Sequence, residues 1–188
     1  TLPWPQRVLD SFFQSVTPRT AGFTTIDLGS ARDYTLFFTM LLMFIGGASG
    51  STAGGVKVNT LAILFTTMWS SLRGREQAGA FGREFSIQHI HRALAVVMLA
   101  LGLVSIVTFI LTVTEGFGFL SLLFETVSAF GTVGLSTGIT PGLTIAGRLI
   151  ICVTMFVGRV GPLTLALSMV QRQQPAVYRY PQEPVRIG

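Results

Sequence analysis

The chain opens with a short amphipathic segment. Val8, Phe12 and Val16 recur every four residues between positions 7 and 17, which is the spacing of one face of an α-helix. Pro18 predicts the end of this helix, because the residue before a proline is disfavoured in helical geometry. A helix that spans a bilayer needs about 20 residues, so this one is too short to cross a membrane.

The next apolar stretch is interrupted at its centre by small residues. Residues 34–45 are apolar over about half a membrane thickness, and residues 58–72 resume an apolar helix. Between them runs a series of Gly, Ala, Ser and Thr from Gly46 to Lys57. The pattern predicts a helix broken by a loop at membrane depth. Such a loop is tolerated only where its backbone lines a cavity or is buried in protein.

A polar connector leads into a second apolar half. Residues 73–92 carry four arginines, and residues 93–113 predict a transmembrane helix of about 20 residues. A second short helix is predicted over residues 117–129, a turn over residues 139–142 and a last span over residues 143–167. The polar, proline-containing end of the chain predicts an extended or loosely packed tail.

Each short helix leads into a loop with the same core sequence. The two cores follow the pattern Thr-x-Gly-apolar and lie 112 residues apart. They consist of Thr20, Ala21, Gly22 and Phe23 in the first loop and of Thr132, Val133, Gly134 and Leu135 in the second. Glycine adopts at little cost the backbone angles that turn carbonyls towards an ion, and rings of carbonyls replace the water shell of potassium. The repeat predicts two pore loops of a selectivity filter; the alternative is an ordinary turn between helices.

Composition indicates a membrane protein. Only 11% of the residues are charged, against about 25% in soluble domains, and the mean hydropathy is +0.63. The formal net charge of +5 comes from residues scattered over the flanks of apolar segments, so nucleic-acid binding is not predicted. Arginines in the connector and the tail favour a cytoplasmic location for both, which lets both loops enter from outside.

Other candidate chemistry finds little support in the sequence. A phosphate-binding loop needs Gly-x4-Gly-Lys; Gly50 and Gly55 have the spacing, but Val56 stands in the lysine position. His89 and His91 are two residues apart and would face different sides of a helix, so no metal site is predicted. Neither a Ser/His/Asp set nor a carboxylate pair points to catalysis. We therefore expect neither an enzyme nor a bound cofactor.

Four motifs, in order, carry a family resemblance. They are Thr17-Pro-Arg-Thr-Ala-Gly-Phe23, Gly46-Gly-Ala-Ser-Gly-Ser-Thr-Ala-Gly-Gly-Val-Lys57, Ser128-Ala-Phe-Gly-Thr-Val-Gly-Leu-Ser-Thr-Gly138 and Met155-Phe-Val-Gly-Arg-Val-Gly-Pro-Leu-Thr164. Over nearly its whole length the chain resembles the Trk/Ktr/HKT superfamily of potassium transporters, and most closely the membrane subunit of the bacterial Ktr/Trk branch. The Arg-Val-Gly-Pro sequence from Arg159 resembles Ktr more than Trk.

The resemblance implies an all-α, polytopic membrane protein in which four helix–pore-loop–helix repeats surround one pore, as in potassium channels. This chain would comprise a partial third repeat (1–72), a cytoplasmic connector (73–92), the fourth repeat (93–169) and a cytoplasmic tail (170–188). The first loop lacks the preceding full span that the second loop has, so we expect further segments upstream.

The resemblance also assigns a role to the small-residue segment. It would be an intramembrane gating loop below the filter, and the alternative is a static, glycine-rich kink. Its residues are Gly46, Gly47, Ser49, Gly50, Ser51, Thr52, Gly54, Gly55 and Lys57.

Two arginines stand within the last apolar segment. Arg159 follows Arg148 by 11 residues, or about 16 Å along a helix, so an outer-interface anchor at Arg148 would place Arg159 near mid-membrane. A charge there is costly and by default functional. We predict that Arg159 lines the pore below the filter as a barrier to cations. The alternative is a structural ion pair, for which Glu125 is a candidate partner.

The predicted function is potassium uptake across the plasma membrane through a carbonyl filter gated by the loop, with dependence on sodium left open. The resemblance implies a homodimer with one pore in each subunit, surrounded by lipid and bound to a cytoplasmic nucleotide-binding regulatory subunit. The rival interpretation is a non-conducting scaffold or sensor with a pore-like fold, or a secondary transporter of another solute. Broken helices with polar residues at the midplane also occur in such transporters.

Overall fold

The computed structural model describes residues 3–74, 79–80 and 83–161. The six helices in these ranges are α1 (Trp4–Val16), α2 (Asp33–Phe44), α3 (Val58–Leu72), α4 (Ile87–Thr114), α5 (Phe119–Gly131) and α6 (Ile145–Val160). Short 3-10 turns span Leu28–Ser30 and Thr140–Gly142. Two strands of two residues each, β1 (Gly79–Ala80) and β2 (Arg83–Glu84), pair antiparallel. The all-α class is therefore confirmed, apart from this small pair of strands.

Several helix boundaries differ from the predicted ones, among them the start of α6, which is Ile145 and not residue 143. α1 begins at Trp4, before the predicted start, because a proline in the first helical turn loses no hydrogen bond. α4 begins at Ile87, six residues before the apolar run, so the end of the polar connector is helical. α5 lies two residues later than predicted at each end. The end of the predicted last span and the tail lie outside the described residues.

The core of the molecule forms around α5. Residues 124–131 of this helix are all buried, and it packs against α2, α4 and α6. Its buried face includes the polar residues Glu125, Thr126 and Ser128 as well as apolar ones. The side chains of Phe124 and Phe130 are completely buried. By contrast, α1 has no buried residue.

One helix in the described part of the chain is long and apolar enough to cross a membrane. It is α4, with 28 residues and a mean hydropathy of 2.8 in its most apolar window. The helices α2, α3 and α5 are apolar but shorter.

A close approach between α5 and α6 sets the position of the last helix. A β-carbon on Gly158 would overlap the carbonyl oxygen of Phe130, so only glycine allows this spacing without a shift. Small residues permit the same kind of close backbone contact between helices in membranes. The residue after Gly158 is Arg159, so this contact determines where the arginine emerges.

Candidate filter and gate

The two Thr-x-Gly loops lie side by side. A β-carbon on Gly22 would overlap the carbonyl oxygen of Val133, and one on Gly134 would lie 3.8 Å from the Cα of Gly22. The loops therefore meet at their central glycines, although these are 112 residues apart in the sequence. The turn at Leu28–Ser30 lies beside the second loop as well, because a β-carbon on Gly29 would stand 2.8 Å from the carbonyl oxygen of Thr137.

Both loops adopt the same unusual backbone. Thr20 and Thr132 have φ angles of 71° and 52°, and they are the two non-glycine residues with positive φ in the described part of the chain. The central glycines Gly22 and Gly134 have φ angles of 76° and 93°, whereas the residue between each pair has a negative φ. Because φ changes sign at each step, successive carbonyls do not alternate as they do in a strand. This geometry can present several carbonyls to one side.

Each loop folds back on the end of its short helix. In the first, the Thr17 carbonyl accepts hydrogen bonds from the backbone N–H groups of Ala21 (3.1 Å) and Gly22 (3.4 Å). The Thr17 hydroxyl also donates to the carbonyl of Phe23. In the second, the N–H of Val133 donates to the carbonyl of Ser128 at 2.9 Å. The last carbonyls of both helices are thus engaged by the loops that follow them.

The two loops differ in burial. Ala21 and Phe23 of the first loop are exposed, Phe23 by 73%. Val133 and Leu135 of the second are buried, with 4% and 2% exposed. The second loop follows α5 and is surrounded by the core, whereas the first follows α1, which contributes no buried residue.

A buried carboxylate lies behind the second loop. Glu125 on α5 accepts hydrogen bonds from the hydroxyl of Ser136 (2.5 Å), the N–H of Thr137 (3.0 Å) and the hydroxyl of Thr140 (2.9 Å). Its suggested pairing with Arg159 is therefore wrong, since its oxygens face the segment that follows the filter core. An acidic residue in an apolar helix was the signal for a specific role, but its partners could not be read from the sequence.

The small-residue segment forms a loop with a closed neck. The N–H of Gly46 donates to the carbonyl of Val56 at 2.8 Å, and the N–H of Val56 donates to the carbonyl of Phe44 at 3.3 Å. The N–H of Val58 adds a bond to the carbonyl of Gly47 at 3.2 Å. The chain therefore leaves α2 and enters α3 at the same place. Residues 48–52, here called the flap, are all exposed and include Ser49 and Gly50.

The return arm of this loop contacts the second Thr-x-Gly loop. The N–H of Gly54 donates to the hydroxyl oxygen of Thr132 at 3.2 Å. A β-carbon on Gly55 would lie 3.4 Å from the Cα of Gly131. Lys57 folds back over the loop, and its ammonium group donates to the carbonyls of Ala53 and, at 3.4 Å, Ser51. The predicted gating residues and the second filter loop are thus in direct contact.

Arg159 reaches the flap. It stands in the last turn of α6, is exposed, and donates from its guanidinium to the carbonyl of Thr52. Arg148 lies at the opposite end of the same helix and donates to the carbonyls of Leu143 (3.0 Å) and Pro141 (3.1 Å). The two arginines therefore share one helix, as predicted, and each holds a different loop.

A second buried carboxylate, absent from the sequence analysis, fixes the start of α6. Glu115 accepts hydrogen bonds from the N–H (3.0 Å) and the hydroxyl (2.6 Å) of Thr144, whose hydroxyl in turn accepts from the N–H of Gly147. A carboxylate is favourable at a helix N-terminus, where the partial charge is positive. The partners are 29 residues apart, too far for a sequence pattern to join them.

Known proteins resemble the chain over nearly its full length. Residues 1–180 match the TrkH family of cation transport proteins. The chain is 49% identical to the Ktr system potassium uptake protein B of Bacillus subtilis (strain 168), a match that covers 95% of the chain and 40% of that relative. It is 43% identical to the potassium/sodium uptake protein NtpJ of Enterococcus hirae, over 97% of the chain and 42% of the relative.

A third relative is the Ktr system potassium uptake protein D of Bacillus subtilis, which is 41% identical over 98% of the chain and 41% of that relative. The chain therefore spans about 40% of the length of these relatives. These comparisons confirm the resemblance to Trk and Ktr transporters that four sequence motifs indicated. Because the family match covers all but the last residues, the chain belongs to the TrkH family of cation transport proteins.

Proposed function

We propose that this chain forms one side of a potassium uptake pathway in a multi-pass protein of the plasma membrane. The observation that carries the proposal is the juxtaposition of two loops with the same alternating backbone at Gly22 and Gly134. The relatives support the choice of ion, since they are named as potassium or potassium/sodium uptake proteins. Two matching loops would form two parts of a four-part ring.

In the proposed pathway, a potassium ion exchanges its water shell for loop carbonyls. The residues that would supply these carbonyls or shape the loops are Thr20, Ala21, Gly22, Phe23, Thr132, Val133, Gly134 and Leu135. The C-terminal ends of α1 and α5 immediately precede the loops, and the partial negative charge of a helix C-terminus favours a cation. Sodium is smaller, so a loop that cannot contract around it favours potassium.

The proposed gate is the loop between α2 and α3. Its return arm contacts Thr132 through Gly54, and its flap is held by Arg159 through the Thr52 carbonyl. In the closed state the loop would block the exit from the filter, and the positive charge of Arg159 would add a barrier to cations. An exposed flap on a hydrogen-bonded neck supports a moving loop over a static kink, because the flap can shift while the neck stays paired.

The proposed assembly is a homodimer embedded in lipid with a cytoplasmic nucleotide-binding regulatory subunit. Two of the relatives are named as proteins of a Ktr system, which supports a partner component. In the chain, residues 1–72 and 93–169 would be the two pore repeats, and residues 73–92 and 170–188 would face the cytoplasm.

Ion uptake by cells that express the complete gene tests the proposal. We expect rubidium or potassium uptake, and growth at low potassium, when it is expressed in cells that lack their own potassium uptake. Stimulation by sodium would place the protein with sodium-dependent systems. If a well-inserted protein gives no uptake even with a Ktr/Trk-type cytoplasmic subunit co-expressed, the conducting function is wrong and the scaffold or sensor interpretation stands.

A further inference from the structure

The hydrogen bonds of Glu125 all go to the segment that follows the second Thr-x-Gly loop. This carboxylate is only 5% exposed and lies next to Phe124 in the centre of the core helix. Burial of a carboxylate costs free energy unless hydrogen bonds replace its water. Here the two oxygens accept hydrogen bonds from three residues of one short segment, namely Ser136, Thr137 and Thr140. The bonds therefore tie the centre of α5 to the chain just beyond Gly134.

The first loop has a weaker version of the same connection. The side-chain oxygen of Gln14 on α1 lies 3.4 Å from the hydroxyl of Thr24, which donates to the nearer carbonyl of Ile26 at 2.7 Å. Thr24 follows Gly22 by two residues, as Ser136 follows Gly134. The amide nitrogen of Gln14 is buried and has no hydrogen-bond partner among the described residues. Both short helices thus reach a hydroxyl at the same place, but only α5 does so with a carboxylate.

We propose that Glu125 is a positioning residue that sets the selectivity of the filter. It fixes the outer end of the second loop, so that the carbonyls of residues 132–135 keep the spacing suited to potassium when a smaller ion enters. Glu125 itself does not touch the ion. This inference rests on the proposed function and goes beyond it, since it assigns part of the selectivity to a side chain outside the filter motif.

Glu115 offers a matched control within the same chain. It is 7% exposed and, like Glu125, accepts from a threonine hydroxyl and a backbone N–H. Its bonds hold the start of α6 and not a filter loop. A change from carboxylate to amide at either position should therefore disturb packing to a similar degree, whereas only Glu125 should affect the choice of ion.

The test compares Glu125→Gln with Glu115→Gln in the complete gene, with KM for potassium and for sodium measured alongside the amount of protein in the membrane. In Glu125→Gln, one carboxylate oxygen is replaced by an NH2 group, which cannot accept the hydrogen bonds that Ser136, Thr137 and Thr140 donate. We expect the ratio of the sodium KM to the potassium KM to fall about tenfold, the size of losing one hydrogen bond to a charged group. Glu115→Gln should keep the ratio of the unmodified protein, even where its amount falls.

Two results would overturn the proposal: an unchanged ratio in Glu125→Gln, or an equal fall in both variants. If Glu125→Gln does not reach the membrane, Ser136→Ala takes its place, because it removes one donor and leaves the carboxylate bound by the other two residues. A lower ratio in Ser136→Ala supports the proposal and an unchanged ratio overturns it. The unmodified protein distinguishes failure of this proposal from failure of the transport function, since a lack of uptake there, even with a Ktr/Trk-type cytoplasmic subunit co-expressed, refutes transport itself.

Discussion

Thr20 and Thr132 hold a backbone that their side chains disfavour. A β-branched residue with positive φ is an outlier, and such strain costs on the order of 1–3 kcal/mol and persists only where the surroundings impose it. For Thr132 part of the compensation is visible, because its hydroxyl accepts a hydrogen bond from Gly54. The same residue type takes the same strained form twice, 112 residues apart. Repetition of this kind points to a common task for the two backbones and not to an accident of packing.

Replacement of Gly22 by alanine should damage the proposed filter. The new β-carbon would overlap the Val133 carbonyl oxygen, and the positive φ would be strained as well. We expect potassium-over-sodium selection to fall by about tenfold, because a strain of about 1–3 kcal/mol would fall on the contact between the loops. The measurement is competitive uptake of rubidium and sodium by cells that express the complete gene.

Gly102→Ala is the control for this change. Gly102 lies in α4, and apart from the helix's own backbone no atom of the described residues lies within 4 Å of its added β-carbon. Alanine favours a helix over glycine by about 1 kcal/mol. Uptake and selectivity should therefore stay as they are. Normal selectivity in Gly22→Ala, with normal amounts of protein, would contradict the assignment of the filter.

Single residues also mark the limit of what the sequence could predict. The repeated Thr-x-Gly core identified Gly22 and Gly134, which the structure brings together. The contact of Arg159 with the flap joins residues 107 apart, and the bonds of Glu125 join residues 11 to 15 apart across a loop. Helical and strand periodicities relate only near neighbours on one element, so they carry no information about such pairs.

At the scale of elements, hydropathy predicted the existence of the helices better than the residues at which they begin and end. The sequence placed α2 and α3 to within a residue or two, because a sharp change from apolar to small or polar residues marks their ends. It placed the start of α4 six residues too late, since Ile87 to Arg92 are polar in part but form helix readily. A helix can extend beyond the apolar segment that reveals it.

Removal of the Arg159 side chain tests how α6 acts on the gate. In Arg159→Ala the flap loses its hydrogen bond at the Thr52 carbonyl, and the proposed cation barrier loses its charge. We expect the maximal rate of potassium uptake to rise by about threefold to tenfold, as one hydrogen bond of about 0.5–1.5 kcal/mol is lost. Rates are measured as initial rubidium uptake per amount of protein in the membrane.

Arg148→Ala serves as the matched variant, because Arg148 binds two carbonyls at the other end of the same helix. It should leave the maximal rate near that of the unmodified protein. If Arg159→Ala instead reduces the amount of protein and leaves the rate per molecule unchanged, Arg159 holds the structure together and does not restrain the ion pathway.

At the scale of the whole molecule, two loops of similar sequence occupy different surroundings. The second packs in the core with residues of α2, α4 and α5, whereas the first extends from a helix with no buried residue. The sequence predicted a partial repeat around the first loop and a complete one around the second, but the degree of burial could not be read from it, because burial depends on which helices flank each loop. In a complete ring of four repeats, the first loop would be covered by segments outside this chain.

Thiol labelling tests the orientation of the molecule. Cysteines are introduced at the exposed Ser30, beside the filter, and at the exposed Ser71, near the connector, after Cys152 is replaced by serine. The arginines of the connector favour the cytoplasm, so an impermeant reagent should label position 30 in intact cells and position 71 only after permeabilisation. The opposite pattern would show that the proposed topology is inverted. Labelling of both positions in intact cells would show that the two residues lie on the same side of the membrane.

If the loop between α2 and α3 is the gate proposed above, its hydrogen-bonded neck at Gly46 and Val56 keeps the work of opening small. With the neck paired, the flap would swing without bending α2 or α3, so the hydrogen bonds that hold the flap, from Arg159 to the Thr52 carbonyl and from Lys57 to the Ser51 carbonyl, set the energy scale. At about 0.5–1.5 kcal/mol net for each bond, release costs about 1–3 kcal/mol. Coupling energies between a regulatory ligand and a distant site are about 1–3 kcal/mol. A partner bound on the cytoplasmic side could therefore switch such a loop with ordinary binding energy and no rearrangement of the helices.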